Sequence, residues 1–301
     1  MKKVILLLPL LLLIQFVTQA QLSKLTFAKK LTKEHTHIVG TEFHVVVPED
    51  YKVVDGMAGI TDGGASLLLF TKPPHNPNFS KVSTQDMRKQ IEKQGVKVTE
   101  VTRLTNVKGQ PMILTGQSKV GLVQILLNTP NNAWVILGTF TDEDEKEEIF
   151  NCLKTIYVDE GKKVDVNKAR KFNIDLSGSN LKFHDFDGTT FQYITTSSSY
   201  KQNLVIAQLP TSTLEGQTLK KACQEQALKK SEGKKVISEK AVKTKVGEGY
   251  LIVTKEDSML CYTLFTGNDQ TLLMINARSN RSASQTKKDF ERLLLEKISL
   301  K

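Results

Sequence analysis

Past its first 20 residues the chain reads as one structural plan written twice, and this repetition limits the fold more than any single motif does. The first copy opens with Phe43, Val45 and Val47 alternating with other residues, then Pro48-Glu49-Asp50-Tyr51. Period-two alternation marks a strand with one buried face, and the Pro-Glu-Asp cluster marks its turn. The second copy opens with Phe172, Ile174 and Leu176 and turns at Ser177-Gly178-Ser179-Asn180. Each copy then passes through a weaker strand pair to a strongly apolar strand, 67–70 in the first and 204–207 in the second. A proline-bearing loop follows each, with Pro73, Pro74 and Pro77 in one and Pro210 in the other.

The helices repeat as well. Ser83-Thr84-Gln85-Asp86 resembles a capping box, Met87 and Ile91 share one face, and Gly95 supplies the left-handed stop. Leu219, Cys223, Ala227 and Lys230 hold the same face in the second copy, with Gly233 as the stop. A strand follows each glycine, 96–101 and 235–240, and then a three-strand meander: 112–115, 121–127 and 134–140, against 250–254, 259–265 and 271–277. Thr129-Pro130-Asn131-Asn132 and Gly267-Asn268-Asp269 carry turn residues between the last two strands. Each copy closes on an amphipathic helix, with Ile149, Phe150, Leu153 and Ile156 on the buried side of one and Phe290, Leu293, Leu294 and Ile298 on that of the other.

A length of 301 residues exceeds what one core covers and fits two domains. The polar stretch Glu160-Gly161-Lys162-Lys163 places the boundary. The expected organisation is a leader at 1–20, a first domain at 36–158, a linker at 159–170 and a second domain at 171–301. The fold class is α+β, each domain an antiparallel sheet of six or seven strands covered by helices.

The order of elements, with its Phe43-x-Val45-x-Val47-Pro48-x-x-Tyr51 opening, resembles the PsbP-like fold. The founding members of that family are an extrinsic subunit of photosystem II and a yeast import factor that binds the GTPase Ran. The resemblance covers residues 36–301 and implies two tandem PsbP-like domains that bind proteins rather than catalyse. The whole chain also resembles exported tandem-domain proteins of Bacteroidetes. The second copy departs from the opening by carrying Ser177 where the first has Pro48. The resemblance brings no catalytic, cofactor-binding or metal-binding residue with it.

The start of the chain has the form of a signal peptide: Lys2 and Lys3, an apolar run over 4–14, then Thr18 and Ala20 before a cut ahead of Gln21. As a helix the run spans about 16 Å, roughly half a bilayer core. No cysteine stands at the cut to carry a lipid. The expected product is periplasmic or secreted, soluble after cleavage and not a lipoprotein. Removing Lys2 and Lys3 leaves 40 basic against 32 acidic residues, a formal charge of +8. The lysines are interspersed with acids rather than striped with aromatics, which argues for solubility over nucleic-acid binding and leaves only weak contact with anionic membranes. The densest basic run, Lys229, Lys230, Lys234 and Lys235, falls at a predicted helix end, where positive charge complements the dipole.

The run Asp142-Glu143-Asp144-Glu145-Lys146-Glu147-Glu148 lacks the spacing of a calcium loop and reads as a helix start. His35, His37 and His44 form a loose group that reads as exposed histidines in a flexible lead segment rather than a metal site. His184 and Asp185 have acid–base residue types, but strand neighbours point to opposite faces unless the backbone bends. Ser197-Ser198-Ser199 and the Ser231/Lys234 spacing lack the surroundings of a nucleophile. Trp134 reads as core. Cys152, Cys223 and Cys261 read as buried free thiols, with a Cys223–Cys261 bridge as the alternative. The expected function is therefore a non-catalytic binding or scaffolding protein of the bacterial cell envelope with a protein partner and no cofactor. The alternative is a hydrolase or small-ligand carrier with its site in the interdomain crevice.

Overall fold

The computed structural model describes residues 22, 25–162, 164–195, 201–214, 216–228, 235–280 and 284–301. The leader, the serines at 197–199, Lys229, Lys230 and the Ser231/Lys234 pair lie outside these residues. The chain divides into two compact units: Met1–Val53 with Ala58–Val164, and Val54–Met57 with Asp165–Lys301.

In the first unit the strands are β1 (His35–His37), β2 (Phe43–Val46), β3 (Lys52–Val53), β4 (Gly59–Thr61), β5 (Leu67–Thr71), β6 (Lys97–Arg103), β7 (Met112–Gln117), β8 (Gly121–Asn128), β9 (Ala133–Phe140) and β10 (Tyr157–Val158). Helix α1 (Thr84–Glu92) precedes β6 and α2 (Glu143–Lys154) precedes β10. The second unit carries β11 (Phe172–Ile174), β12 (Leu181–Phe186), β13 (Thr190–Thr195), β14 (Gln202–Leu209), β15 (Lys235–Lys243), β16 (Glu248–Glu256), β17 (Met259–Gly267), β18 (Leu272–Ser279) and β19 (Ile298–Leu300). Its helices are α3 (Leu219–Leu228), before β15, and α4 (Ser284–Glu296), before β19.

Each unit holds an antiparallel seven-stranded sheet, ordered β3-β4-β5-β9-β8-β7-β6 in the first and β12-β13-β14-β18-β17-β16-β15 in the second. The second order is the first with nine added to every strand number. The same offset relates the small sheets, where β2 pairs with β10 and β11 with β19. It also relates a defect: the ladder slips at Thr99 between β6 and β7, and at Ile237 between β15 and β16. A bulge shared at one register position by two unlike sequences reflects a common backbone plan.

Strand alternation sorts the core into two layers on the faces of the first sheet. Ala133, Val135 and Leu137 of β9 face the cluster under α1, which includes Met87, Ile91, Val98, Met112 and Leu114. Trp134 and Gly138 face the other way. There Trp134 packs edge-on against Phe43 at 5.2 Å, and Phe43 against Phe70 at 5.0 Å. Gly138 admits α2: a Cβ there would stand 2.8 Å from both Ile149 Cγ2 and Val123 Cγ1. The second sheet repeats this, with Cys223 and Ala227 of α3 over Ile252, Phe265 and Leu272, and Tyr262 meeting Phe290 of α4 at 5.3 Å.

The capping expectations are realised. Ser83 Oγ accepts from the Asp86 amide at 3.0 Å and donates to its carboxylate at 2.6 Å. Asp142 accepts from the Glu145 amide at 2.9 Å, while Glu145 accepts from the amide and hydroxyl of Thr141. The acidic run is thus committed to orphan amides at the start of α2.

Two boundaries differ from the sequence expectation. Ile156 and Ile298 fall outside their helices, because the chain there turns into β10 and β19. These short strands pair with the opening strand of their own unit, and that closure requires partners more than 100 residues away in sequence. Among the described residues no helix is long and apolar enough to cross a membrane.

Candidate functional site

A cleft of about 750 Å³ opens within the first unit, at the end of the sheet where β6 meets β7 and β8 meets β9. Four segments wall it: Thr26–Lys29, the hairpin tips at 106–109 and 127–130, and Tyr157, Val158 and Glu160 just after α2. Its apolar surface comes from Phe27, Val107, Leu127, Pro130, Tyr157 and Val158.

Local chemistry explains each wall. The β6–β7 tip is a tight turn in which Gly109 has φ +80° and Gln110 φ +46°. A Cβ on Gly109 would stand 2.9 Å from the Asn128 carbonyl, so glycine lets this tip lie directly against the end of β8. The β8–β9 tip is closed by Thr129, whose amide donates to the Asn132 carbonyl at 2.8 Å. The leading segment is pinned by the Ala28 amide donating to Ile156 O at 2.9 Å. Lys108 and Glu160 form an ion pair of 2.6 Å across the rim.

Behind Thr129 lies a buried carboxylate. Glu42, 3% exposed, accepts the indole N–H of Trp134 at 2.8 Å and the Thr129 hydroxyl at 2.7 Å through Oε1, while Oε2 has no hydrogen-bond partner. Ladder register gives the second-unit counterparts as Lys171 for Glu42, Leu273 for Trp134 and Asn268 for Thr129. The polar support behind this cleft therefore belongs to the first copy alone. A lone glutamate ahead of an alternating strand gives no periodic signal, and in the sequence Glu42 stands out only as an acid near the three histidines.

The histidines form part of the same end of the unit, and here the expectation of a flexible lead segment is corrected. His35 and His37 lie in β1, paired to β2, and His44 lies in β2 beside Tyr157. His35 Nε2 donates to Thr155 O at 2.9 Å and His37 Nε2 to Thr41 O at 2.8 Å. The rings of His37 and His44 are 4.9 Å apart. Burial, then the charges of Lys162 and His37, hold the His44 imidazolium below its ordinary pKa. Among the described residues no three His, Cys, Asp or Glu side chains are grouped to hold a metal ion.

The remaining candidates separate. His184 is the residue at which the β12–β13 register slips, so the backbone does bend there, but it stands exposed. The carboxylate that organises the following turn is Asp187, which accepts from the amides of Thr189 and Thr190 at 2.9 and 2.7 Å. None of the three cysteines is in a disulfide, and no Cys223–Cys261 bridge forms. Cys152 and Cys223 are buried, with burial pushing each thiol up to about 12, whereas Cys261 is partly exposed rather than buried.

No family model matches the chain, and no curated protein matches it. Among solved structures, the apo immunity protein TplEi of the T6SS from Pseudomonas aeruginosa is 10% identical with a TM-score of 0.30, over 88% of this chain and 96% of that one. The same immunity protein complexed with "L" peptide scores 0.28 at 10% identity, over 89% and 98%. The Pseudomonas aeruginosa MucA/MucB complex scores 0.22 at 7% identity, over 86% and 88%. At these scores the likenesses say nothing about which fold or function the chain has.

Proposed function

We propose that the chain is a non-catalytic binding protein of the cell envelope, exported by its first 20 residues, that holds an apolar segment of a partner protein in the cleft of its first unit. One observation carries this reading: six apolar residues line the cleft, and four of its polar side chains, Thr129, Asn128, Lys108 and Glu160, are bonded within the protein. Thr129 is bonded to Glu42, Asn128 to the Phe79 amide and Pro77 carbonyl, and Lys108 to Glu160. Groups committed in this way shape and orient a guest but hold no proton ready for transfer. A volume near 750 Å³ is in the range of sites that enclose a few side chains.

We assign both units to the PsbP-like fold. The Phe43-x-Val45-x-Val47-Pro48 opening and the strand order common to the two sheets support that assignment. The leader sequence supports a periplasmic or secreted location, and a cleft whose polar support is specific to the first copy favours one partner segment over a symmetrical pair.

The test is substitution at the partly exposed wall, with Val107→Asp and Val158→Asp compared with the unaltered chain in cross-linked capture from the cell envelope. Loss of one reproducibly recovered protein in both variants, with far-ultraviolet circular dichroism unchanged, is the expected result. Equal recovery by all three chains overturns the proposal.

A further inference from the structure

The two sheets end on equivalent edge strands, β6 and β15, but only one of these edges is closed. Register aligns Val98 with Val236, since each precedes the shared bulge; Val98 is 6% exposed and Val236 42%. In the first unit α1 packs over β6, and Arg88 Nη1 donates to the Val98 carbonyl at 2.9 Å. Arg103 ties the preceding loop to the same strand by donating to the carbonyls of Phe79 and Val82. In the second unit α3 packs mainly on β16 and β17 and reaches β15 through Gln224, which donates to Glu239 at 3.1 Å. Seven of the nine residues of β15 are exposed and the other two partly so, and Ile237 is also 42% exposed. A long strand with an open edge is a template for another strand.

Charge indicates what kind of strand fits. Lys235 stands directly opposite Lys255 in the ladder, a like-charge pair that destabilises the sheet as it stands. Among the described residues neither lysine is in an ion pair, whereas Lys240 is held by Glu291 at 2.9 Å and Lys243 faces Glu248. Among the described residues the unpaired charges here are Lys235 on the edge strand, Lys255 behind it on β16 and Glu239, and the two lysines make the net positive. A second copy fits poorly: full-length antiparallel pairing of β15 with itself puts Lys235 against Lys243 and Glu239 against Glu239.

We propose that the outer edge of β15 accepts an extended acidic segment of a partner protein as an eighth strand, with its carboxylates beside Lys235 and Lys255. Main-chain hydrogen bonds to the free edge would supply affinity and the lysine pair would supply selection for acid. The site belongs to the second unit, and its argument does not rest on the cleft.

The test titrates the full chain with a fluorescein-labelled synthetic ten-residue peptide alternating Glu with Val or Thr, followed by anisotropy and by amide hydrogen exchange. The expected result is saturable binding, slowed exchange across 238–243, and at least tenfold weaker binding in Lys235→Glu/Lys255→Glu. Those surface changes leave the core untouched, and Ala241→Pro on the open edge is expected to weaken binding similarly. The proposal is overturned by no saturable binding, by unaltered binding to the double variant, by equal binding of a peptide with Lys in place of Glu, or by a β15-dependent dimer in sedimentation that excludes the peptide.

Discussion

Glu42 and Trp134 meet in the core of the first unit, the carboxylate of one accepting the indole N–H of the other at 2.8 Å across 92 residues of chain. The same oxygen accepts from Thr129, so this one acceptor fixes the opening strand, the start of β9 and a wall of the cleft together. Removing it leaves the buried indole N–H of Trp134 unsatisfied, while the half-buried Thr129 hydroxyl keeps the Asn132 carbonyl at 3.1 Å. Glu42→Ala is expected to cost about 2–4 kcal/mol of stability, and Glu42→Gln, which keeps the acceptor, clearly less. Trp134 is the single tryptophan, so its fluorescence in urea unfolding reads this unit directly. Equal costs for the two variants would contradict the assigned role.

The histidine cluster predicts acid sensitivity. The folded pKa of His44 lies below its ordinary value of 6.5, so the unfolded chain binds more protons in the window between the two. The stability that neutral His44 contributes is complete above about pH 6.5 and falls as pH drops from there to the folded pKa. The groups facing it set the direction: burial, Lys162, His37 and His35 lower the pKa, and Asp159 opposes them. The urea midpoint followed by Trp134 emission should fall between pH 7.5 and pH 5.5, and His44→Phe should flatten that slope. A slope unchanged by the substitution would contradict the account.

Thiol reactivity should divide the cysteines. The Cys223 thiol donates to the carbonyls of Tyr250 and Thr263, both at 3.2 Å, and Cys152 is buried in α2. Because the thiolate is the reactive form, both should resist iodoacetamide at pH 8 while Cys261 reacts. Mass spectrometry should find one label on the native chain and three after denaturation. A fast label on Cys223 would contradict the packing of α3.

Gly138 sets how closely α2 approaches β9, and its counterpart on β18 is Ala277. Gly138→Ala places a methyl group 2.8 Å from Ile149 and Val123, an overpacking expected to cost about 1–3 kcal/mol. Ile149→Ala, which removes the Cγ2 that the new methyl would meet, should show a coupled rather than additive loss in the double variant, as measured by thermal unfolding. Additive losses would show that the two side chains do not compete for this space.

Much of the main sheets was legible in the sequence, because their strands alternate and their turns carry glycine, proline or asparagine. The Ser83 cap and the helix start at Asp142 were legible for the same local reason. What escaped was non-local. Tyr157 and Val158 read as the tail of the first domain with no element of their own, because two residues carry no period, and they become a strand only through pairing with His44 and Phe43. The histidines read as a loose lead because β1 is likewise only three residues long. The cleft depends on Glu42, Gly109 and Tyr157 converging from separate segments, and the open edge of β15 depends on where a helix rests. Neither relation is written in any local pattern.

Site-specific photo-crosslinking tests the central claim most directly, with a benzophenone side chain placed at position 107 on the cleft wall or at position 119, an exposed turn at the far end of β7. The account predicts one discrete crosslinked envelope protein from position 107, competed by unlabelled chain, and none from position 119. Crosslinks of equal yield at both positions, or none at 107 in cells where the chain is exported and folded, would contradict it.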